Sequence, residues 1–83
     1  MTYRVQINRA AEKDMGKLSD AMLQRIKRGI ESLGVDPHQR GVKKLRSGGF
    51  RLAVGHYRVI FDIDGAEKLV IVSKVRHRRE AYR

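Results

Sequence analysis

The apolar residues of this 83-residue chain change their spacing along its length. In the first half they recur three or four positions apart, as in Leu23, Ile26 and Ile30, which is the period of an amphipathic helix. In the second half they recur at every second position, as in Leu52 and Val54, which is the period of a half-buried strand. Helices followed by strands predict an α+β domain, because each kind of element needs a partner layer to cover its apolar side.

Capping residues set the predicted limits of two helices. The first is predicted over Arg9–Leu18 and follows Asn8, a residue type that commonly caps helix starts. Ser19 is the candidate cap of the second helix. Gly34 predicts the end of the second helix, and Pro37 lies shortly beyond it. The two helices are close in sequence and are expected to form an antiparallel hairpin.

Strands are predicted on both sides of the helical hairpin. A short strand comes first, over residues 3–7, and three more follow residue 49, with turns at Gly55-His56 and Asp64-Gly65. We therefore expect one domain over residues 1–83. Its predicted fold is α+β, with an N-terminal strand, a helical hairpin and a three-stranded antiparallel meander, and with both helices packed on one face of a curved sheet.

Positive charge is the strongest feature of the composition. Nineteen Lys and Arg residues stand against nine Asp and Glu residues, which gives a net charge of +10. Residues 43–83 carry eleven basic and four acidic residues, a net +7, while residues 1–42 carry eight and five, a net +3. Such a surface favours a polyanionic partner, above all nucleic acid. The alternatives are a generic solvated surface and a basic protein kept soluble by an acidic partner.

Several classes of protein are disfavoured by what the sequence lacks. There is no cysteine, which excludes disulfides and thiolate metal sites, and three scattered histidines argue against a zinc site. No apolar run has the length of a signal peptide or of a membrane span. We expect a soluble, cytoplasmic protein with no membrane partner, no cofactor and no metal.

The alternation of the strands predicts a cluster of cations on the outer face of the sheet. If Leu52 and Val59 face the helices, the residues next to them face away. Guanidinium donors match phosphate oxygens, and a cation cluster can stabilise the charge that develops when RNA is cleaved. An ordinary solvated sheet face is the alternative. The residues predicted to share this face are Arg51, Arg58, Lys74 and Arg76.

Aromatic and loop residues supply further candidates. His77 lies in the basic C-terminal segment, where an imidazole can transfer protons near neutral pH, or is simply a surface histidine. Tyr82 can stack on a base, supply a phenol hydroxyl or only anchor the chain. His38 and His56 lie in predicted loops and are assigned no chemistry. Gly48-Gly49 predicts a turn, because the surrounding residues of a phosphate loop are missing.

Four short segments stand in an order that resembles the RelE branch of the RelE/ParE toxin superfamily. Together with the opening strand and the two helices, they extend the resemblance over essentially the whole chain. Their order and spacing carry the resemblance. The segments are Lys44-Leu45 before a turn, Phe50-Arg51-Leu52, the stretch GHYRVIF at 55–61 and the stretch HRREAY at 77–82.

The resemblance implies a toxin of a type II toxin–antitoxin system. In the RelE branch this is an endoribonuclease, or mRNA interferase, that cuts mRNA in the ribosomal A site without a metal. The implied partners are mRNA, the ribosome with its RNA, and a cognate acidic antitoxin with which a heterotetramer can form. Two alternatives stay open: a ParE-like inhibitor of DNA gyrase, and a catalytically attenuated homologue that only binds nucleic acid.

The resemblance also assigns roles by motif position. Arg58 corresponds to the arginine that contacts the scissile phosphate, and Tyr82 to the tyrosine that orients or deprotonates the attacking hydroxyl. Arg51 corresponds to a basic residue of the first long strand, and Arg76 or the adjacent His77-Arg78 to the basic end of the last strand. The residues predicted to bind RNA are Lys43, Lys44, Arg46, Lys74, Arg78 and Arg79.

Ala53 departs from the pattern of the family. Active members commonly carry Lys or Arg at this position, and a methyl group can neither bind phosphate nor transfer a proton. Slow cleavage, the use of His77 or Arg78 instead, and a detoxified form are all compatible with this substitution.

Overall fold

Two helices pack on a curved five-stranded sheet in the computed structural model, which describes residues 2–80. This confirms the predicted α+β class. The strand order is β1-β5-β4-β3-β2, in which β1 runs parallel to β5 and all other neighbours are antiparallel. The elements are β1 (Arg4–Ile7), α1 (Arg9–Gly16), α2 (Asp20–Val35), β2 (Val42–Lys44), β3 (Phe50–Val54), β4 (Tyr57–Asp64) and β5 (Leu69–His77).

The short strand β2 was not predicted from the sequence. It has only three residues, and Lys43 and Lys44 are both exposed, so it shows no alternation that a sequence pattern could reveal. It forms because Val42 pairs with Leu52 and Lys44 pairs with Phe50 across the turn that follows. That turn contains Gly48-Gly49 at φ of +98° and +80°, a backbone region that favours glycine, which confirms the predicted turn.

The helix ends agree only in part with the predicted caps. The Ser19 side chain accepts a hydrogen bond from the Met22 backbone nitrogen at 3.3 Å, as expected of a cap. Asn8 stands at the corresponding position of α1, but its side chain makes no capping hydrogen bond. The predicted end of the second helix at Gly34 is wrong, because α2 continues through this buried residue to Val35. The Gly34 carbonyl accepts from the Tyr3 backbone nitrogen at 2.9 Å, which ties the start of β1 to α2.

One continuous core lies between the helices and the sheet. Helix α2 packs against β1, β3 and β5, and α1 packs against β5. Neither helix of the described chain is long and apolar enough to cross a membrane. The predicted inner face of the meander is confirmed by the burial of Leu52, Val59 and Phe61. The other buried apolar residues are Ala11, Met15, Ile26, Ile30, Leu33, Val70, Val72 and Val75.

Candidate nucleic-acid interface

A β-bulge in β5 turns the last cations of the sheet outward. Val70 and Val72 face the core, so simple alternation would also bury the position of Lys74. However, Ile60 pairs with Lys74 while the next residue of β4 pairs with Val72, which leaves Ser73 as one extra residue in β5. The Ser73 hydroxyl donates to the Ile60 carbonyl at 3.2 Å. The bulge therefore moves Lys74 to the outer face.

The strand register arranges the outer face in two rows. Residues paired across neighbouring strands project to the same side of a sheet. This confirms that the four predicted cations share a face. The first row is Lys43, Arg51, Ile60 and Lys74, and the second row is Ala53, Arg58 and Arg76.

The first row forms one side of an open groove of about 820 Å³. The turn that joins β2 to β3 forms the opposite wall, with Gly48 and Gly49 at its tip. The groove brings together one predicted catalytic residue and four predicted RNA-binding residues. Its cations are Lys43, Lys44, Arg46, Arg51 and Lys74. Such a concave cationic surface can hold a phosphodiester backbone.

Arg58, in the second row, is bound to its own turn and does not line the groove. Its Nη1 donates to the Tyr57 carbonyl at 3.0 Å and to the Gly55 carbonyl at 3.3 Å. Its Nε is buried and has no hydrogen-bond partner within residues 2–80. The guanidinium thus braces the turn between β3 and β4 and points away from the groove residues. Ala53, the residue paired with Arg58 on β3, is exposed.

Arg76 is held at the edge of the sheet by a residue that the sequence analysis missed. Its Nε donates to Oδ2 of Asp14 at 3.0 Å, and the same oxygen accepts from the Val75 backbone nitrogen at 3.0 Å. Strand β1 pairs with β5 only as far as Val72, so the Asp14 carboxylate serves as the edge partner beyond that point. Nothing local in the sequence signals this contact, because the two charged residues are 62 positions apart.

His77 lies on the opposite face of the sheet from Arg76. It pairs with Tyr57, whose neighbours at alternate positions face the core. Its ring packs edge-on against Tyr57 at 5.5 Å and stacks with His56 at 6.3 Å between centroids. Its Nδ1 accepts from the Arg79 backbone nitrogen at 3.3 Å. The structure therefore does not bring His77 to the two rows. The sequence could have predicted this, because His77 directly follows Arg76 and adjacent residues of a strand project to opposite faces.

The remaining predicted residues lie at the C-terminal end of β5. Arg78 and Arg79 are exposed, and the Arg78 backbone nitrogen donates to the His56 carbonyl at 2.7 Å. This places them beside the turn between β3 and β4. Tyr82 lies outside the described residues. Within residues 2–80, no three His, Asp or Glu side chains are grouped so that they could hold a metal ion.

Comparison with known proteins identifies relatives over nearly the full chain. Residues 5–82 match the family described as the ParE toxin of the type II toxin–antitoxin system parDE. The toxin RelE1 of Methanocaldococcus jannaschii is 26% identical over 88 residues, which cover 100% of this chain and 98% of that protein.

Solved structures of toxin–antitoxin complexes share the fold. One chain of the RelBE2 complex from Mycobacterium tuberculosis matches with a TM-score of 0.84 and 28% identity, over 93% of this chain and 99% of that one. The archaeal RelE–RelB complex from Pyrococcus horikoshii matches with a TM-score of 0.82 and 26% identity, over 98% and 100%. The chain therefore belongs to the RelE/ParE superfamily of toxins from type II toxin–antitoxin systems.

Proposed function

We propose that this toxin is an endoribonuclease that cuts mRNA in the ribosomal A site without a metal ion. The observation that carries the proposal is the first row, in which three cations line a groove that is open to solvent. The row crosses four strands spaced about 4.8 Å apart, so it extends about 15 Å, enough to contact more than one phosphate. Single-stranded RNA is bound in cationic grooves of this kind.

The two rows supply the charges that RNA cleavage needs. The 2′-hydroxyl loses its proton and its oxygen attacks the adjacent phosphorus, while the bond to the 5′-oxygen breaks and that oxygen gains a proton, which leaves a 2′,3′-cyclic phosphate and a 5′-hydroxyl. Arg51 and Lys74 are the residues proposed to stabilise the negative charge that develops on the phosphorane, and their position in the groove supports this role. Arg58 and Arg76 lie about two residues further along their strands, or about 7 Å away. They would reach the same phosphate after Arg58 leaves the turn carbonyls and Arg76 leaves Asp14.

Proton transfer is assigned to the C-terminal segment. Tyr82 is the proposed residue that orients or deprotonates the 2′-hydroxyl, in accordance with its motif position. His77 and Arg78 are the alternative groups, and both lie at the end of β5 next to the turn that Arg58 braces. Because His77 is on the other face of the sheet, its direct action on RNA would require the strand end to rearrange.

The proposed cellular partner is a small acidic antitoxin. The relatives from M. tuberculosis and P. horikoshii were solved as toxin–antitoxin complexes. A net charge of +10, much of it around one groove, favours an acidic partner, and a heterotetramer is the proposed assembly. Association should be fast and should slow as salt is added. Co-expression with the adjacent open reading frame, followed by affinity pull-down and a salt series of association rates, tests this.

Inhibition of DNA gyrase is the second candidate function. It is the activity of the ParE-like alternative, and the family that matches this chain is described as the ParE toxin. The third is nucleic-acid binding without catalysis, which the methyl group of Ala53 in the second row favours. The cationic groove favours the endoribonuclease over gyrase inhibition, because its Lys and Arg side chains line an opening that can hold a segment of RNA backbone.

Primer extension on mRNA in a translation system separates these candidates. The endoribonuclease should produce new cuts at A-site codons only when translation proceeds. The Arg51→Ala variant should lose these cuts, and Lys27→Ala, which removes an exposed cation from α2, should keep them. Inhibited supercoiling with intact mRNA would instead identify a gyrase inhibitor. Retained RNA binding without any cut would identify an attenuated homologue.

A further inference from the structure

One carboxylate lines the otherwise cationic groove. Asp62 lies on the outer face of β4, two residues beyond Ile60 of the first row. Five Lys and Arg residues share the groove with it, and no other acidic residue is among its described lining residues. Within residues 2–80, no Lys, Arg or His nitrogen lies within 4.0 Å of this carboxylate. An ion pair within that part of the chain therefore does not account for the presence of Asp62 in the groove.

The Asp62 side chain lies close to Gly49, where the absence of a Cβ leaves room for it. A Cβ atom built on Gly49 would lie 3.0 Å from Oδ1 of Asp62 and 3.1 Å from the Phe61 carbonyl oxygen. The carboxylate thus lies against the backbone of the turn between β2 and β3, at the wall of the groove. Two residues of strand separate it from Ile60, a distance of about 7 Å. This corner of the groove therefore differs in chemistry from the first row.

A carboxylate in this corner selects for donor groups. An ionised carboxylate only accepts hydrogen bonds, and so does a phosphate, so Asp62 repels the RNA backbone. The Watson–Crick edge of guanine presents two parallel N–H donors that match the two carboxylate oxygens. Adenine and cytosine present an amino group, and the donor of uracil lies between two carbonyls that the carboxylate repels. Ile60 offers an apolar surface beside this corner, where a base can pack.

We propose that Asp62 and Gly49 form a nucleobase subsite that accepts the donor edge of a base, with guanine bound most tightly. The first row holds the adjacent phosphate while Asp62 reads the base. The proposal rests on the proposed function in that RNA is the ligand. A bidentate pair of this kind discriminates between bases by about tenfold or more.

The subsite can be tested by binding, without cleavage. Fluorescence anisotropy with labelled 2′-O-methyl hexamers, which lack the attacking hydroxyl, would compare central guanosine, inosine and uridine. The full chain should bind the guanosine oligomer about tenfold tighter than the uridine oligomer. Inosine, which lacks the 2-amino group, should fall between them. Asp62→Asn should reduce the guanosine-to-uridine ratio to about twofold and tighten binding overall, because a repulsive charge leaves the groove.

Glu67→Gln is the matched control. It removes one negative charge from the exposed turn between β4 and β5 and should keep the ratio of the parent chain. Thermal melts would verify that both variants are folded. Binding without a difference between the bases, or an unchanged ratio in folded Asp62→Asn, would overturn the subsite but leave the proposed function standing. Absence of binding to every oligomer by the folded parent chain would also overturn the subsite, while the primer-extension assay on translating ribosomes decides the proposed function separately.

Discussion

The Asp14 carboxylate lies 3.0 Å from Nε of Arg76 and 3.0 Å from the backbone nitrogen of Val75. One oxygen thereby joins α1 to β5, caps the strand edge beyond β1 and fixes an arginine of the second row. The Asp14 side chain is only 13% exposed, and that of Arg76 is 38% exposed. The contact therefore caps the edge of the sheet, which contributes to stability, and also positions Arg76, a residue proposed to act on RNA.

Asp14→Ala should lower the free energy of unfolding by about 1–3 kcal/mol, because a backbone donor and a guanidinium lose their shared acceptor. Urea denaturation measures this loss. The control is Glu12→Ala, which removes an exposed carboxylate of the same helix and should change stability by less than about 0.5 kcal/mol. If the two variants lost the same free energy of unfolding, the contacts of Asp14 with Arg76 and Val75 would add nothing beyond the effect of one negative charge on the helix.

Arg58→Ala should reduce single-turnover cleavage by about 10²-fold or more, as expected when a transition-state cation is lost. Its effect on stability should stay within about 1 kcal/mol, because the lost bonds to the turn carbonyls are offset by removal of the buried Nε, which no group within residues 2–80 satisfies. Thermal melts and cleavage rates would be compared with those of the parent chain. Full cleavage by the folded variant would remove Arg58 from the site.

Lys74→Ala should make RNA binding less dependent on salt. Each cation that neutralises a phosphate of a single strand contributes about 0.7 to the slope of log affinity against log salt concentration. A salt titration of the Lys74→Ala variant should therefore show a slope shallower by about 0.7. Lys27→Ala, on the exposed side of α2, should keep the slope of the parent chain. An unchanged slope for Lys74→Ala would argue against a phosphate contact at the first row.

Ala53→Arg should increase both RNA cleavage and toxicity on induction. The new guanidinium would stand opposite Arg58 on the outer face and two residues from Arg51. The like charges should cost less than about 1 kcal/mol of stability. Growth inhibition at equal soluble expression measures the effect, and Ala53→Gln, which adds length without charge, is the control. The interpretation of Ala53 as an attenuating residue fails if growth is inhibited equally by all three chains.

Ser19→Ala should destabilise the protein by about 1 kcal/mol, because the Met22 backbone nitrogen loses its cap. Asn8→Ala should cost less than half of that, since the Asn8 side chain makes no capping hydrogen bond. Chemical denaturation of the two variants provides the comparison. Equal losses would indicate that the Asn8 side chain caps α1 in solution after all.

Much of the fold could be predicted because it depends on local periodicity. The spacing of Leu23, Ile26 and Ile30 defines one apolar side of α2, and the alternation from Phe50 to Phe61 defines the inner face of the meander. Both patterns are imposed by backbone geometry, 3.6 residues per turn or two per pleat, so they are visible in any chain that forms these elements. The shared outer face of Arg51 and Arg58 follows from the same rule.

The sequence by itself thus determined the two layers, the core stripe of each element and the clustering of positive charge in the second half. Only the tertiary structure decided the pairing of the three-residue strand β2, the bulge at Ser73 that turns Lys74 outward, and the hold of Asp14 on Arg76. The physical reason is the range of the interactions. Alternation and capping act between neighbours in the chain, whereas strand edges, bulges and long-range ion pairs are set by partners that only folding brings together.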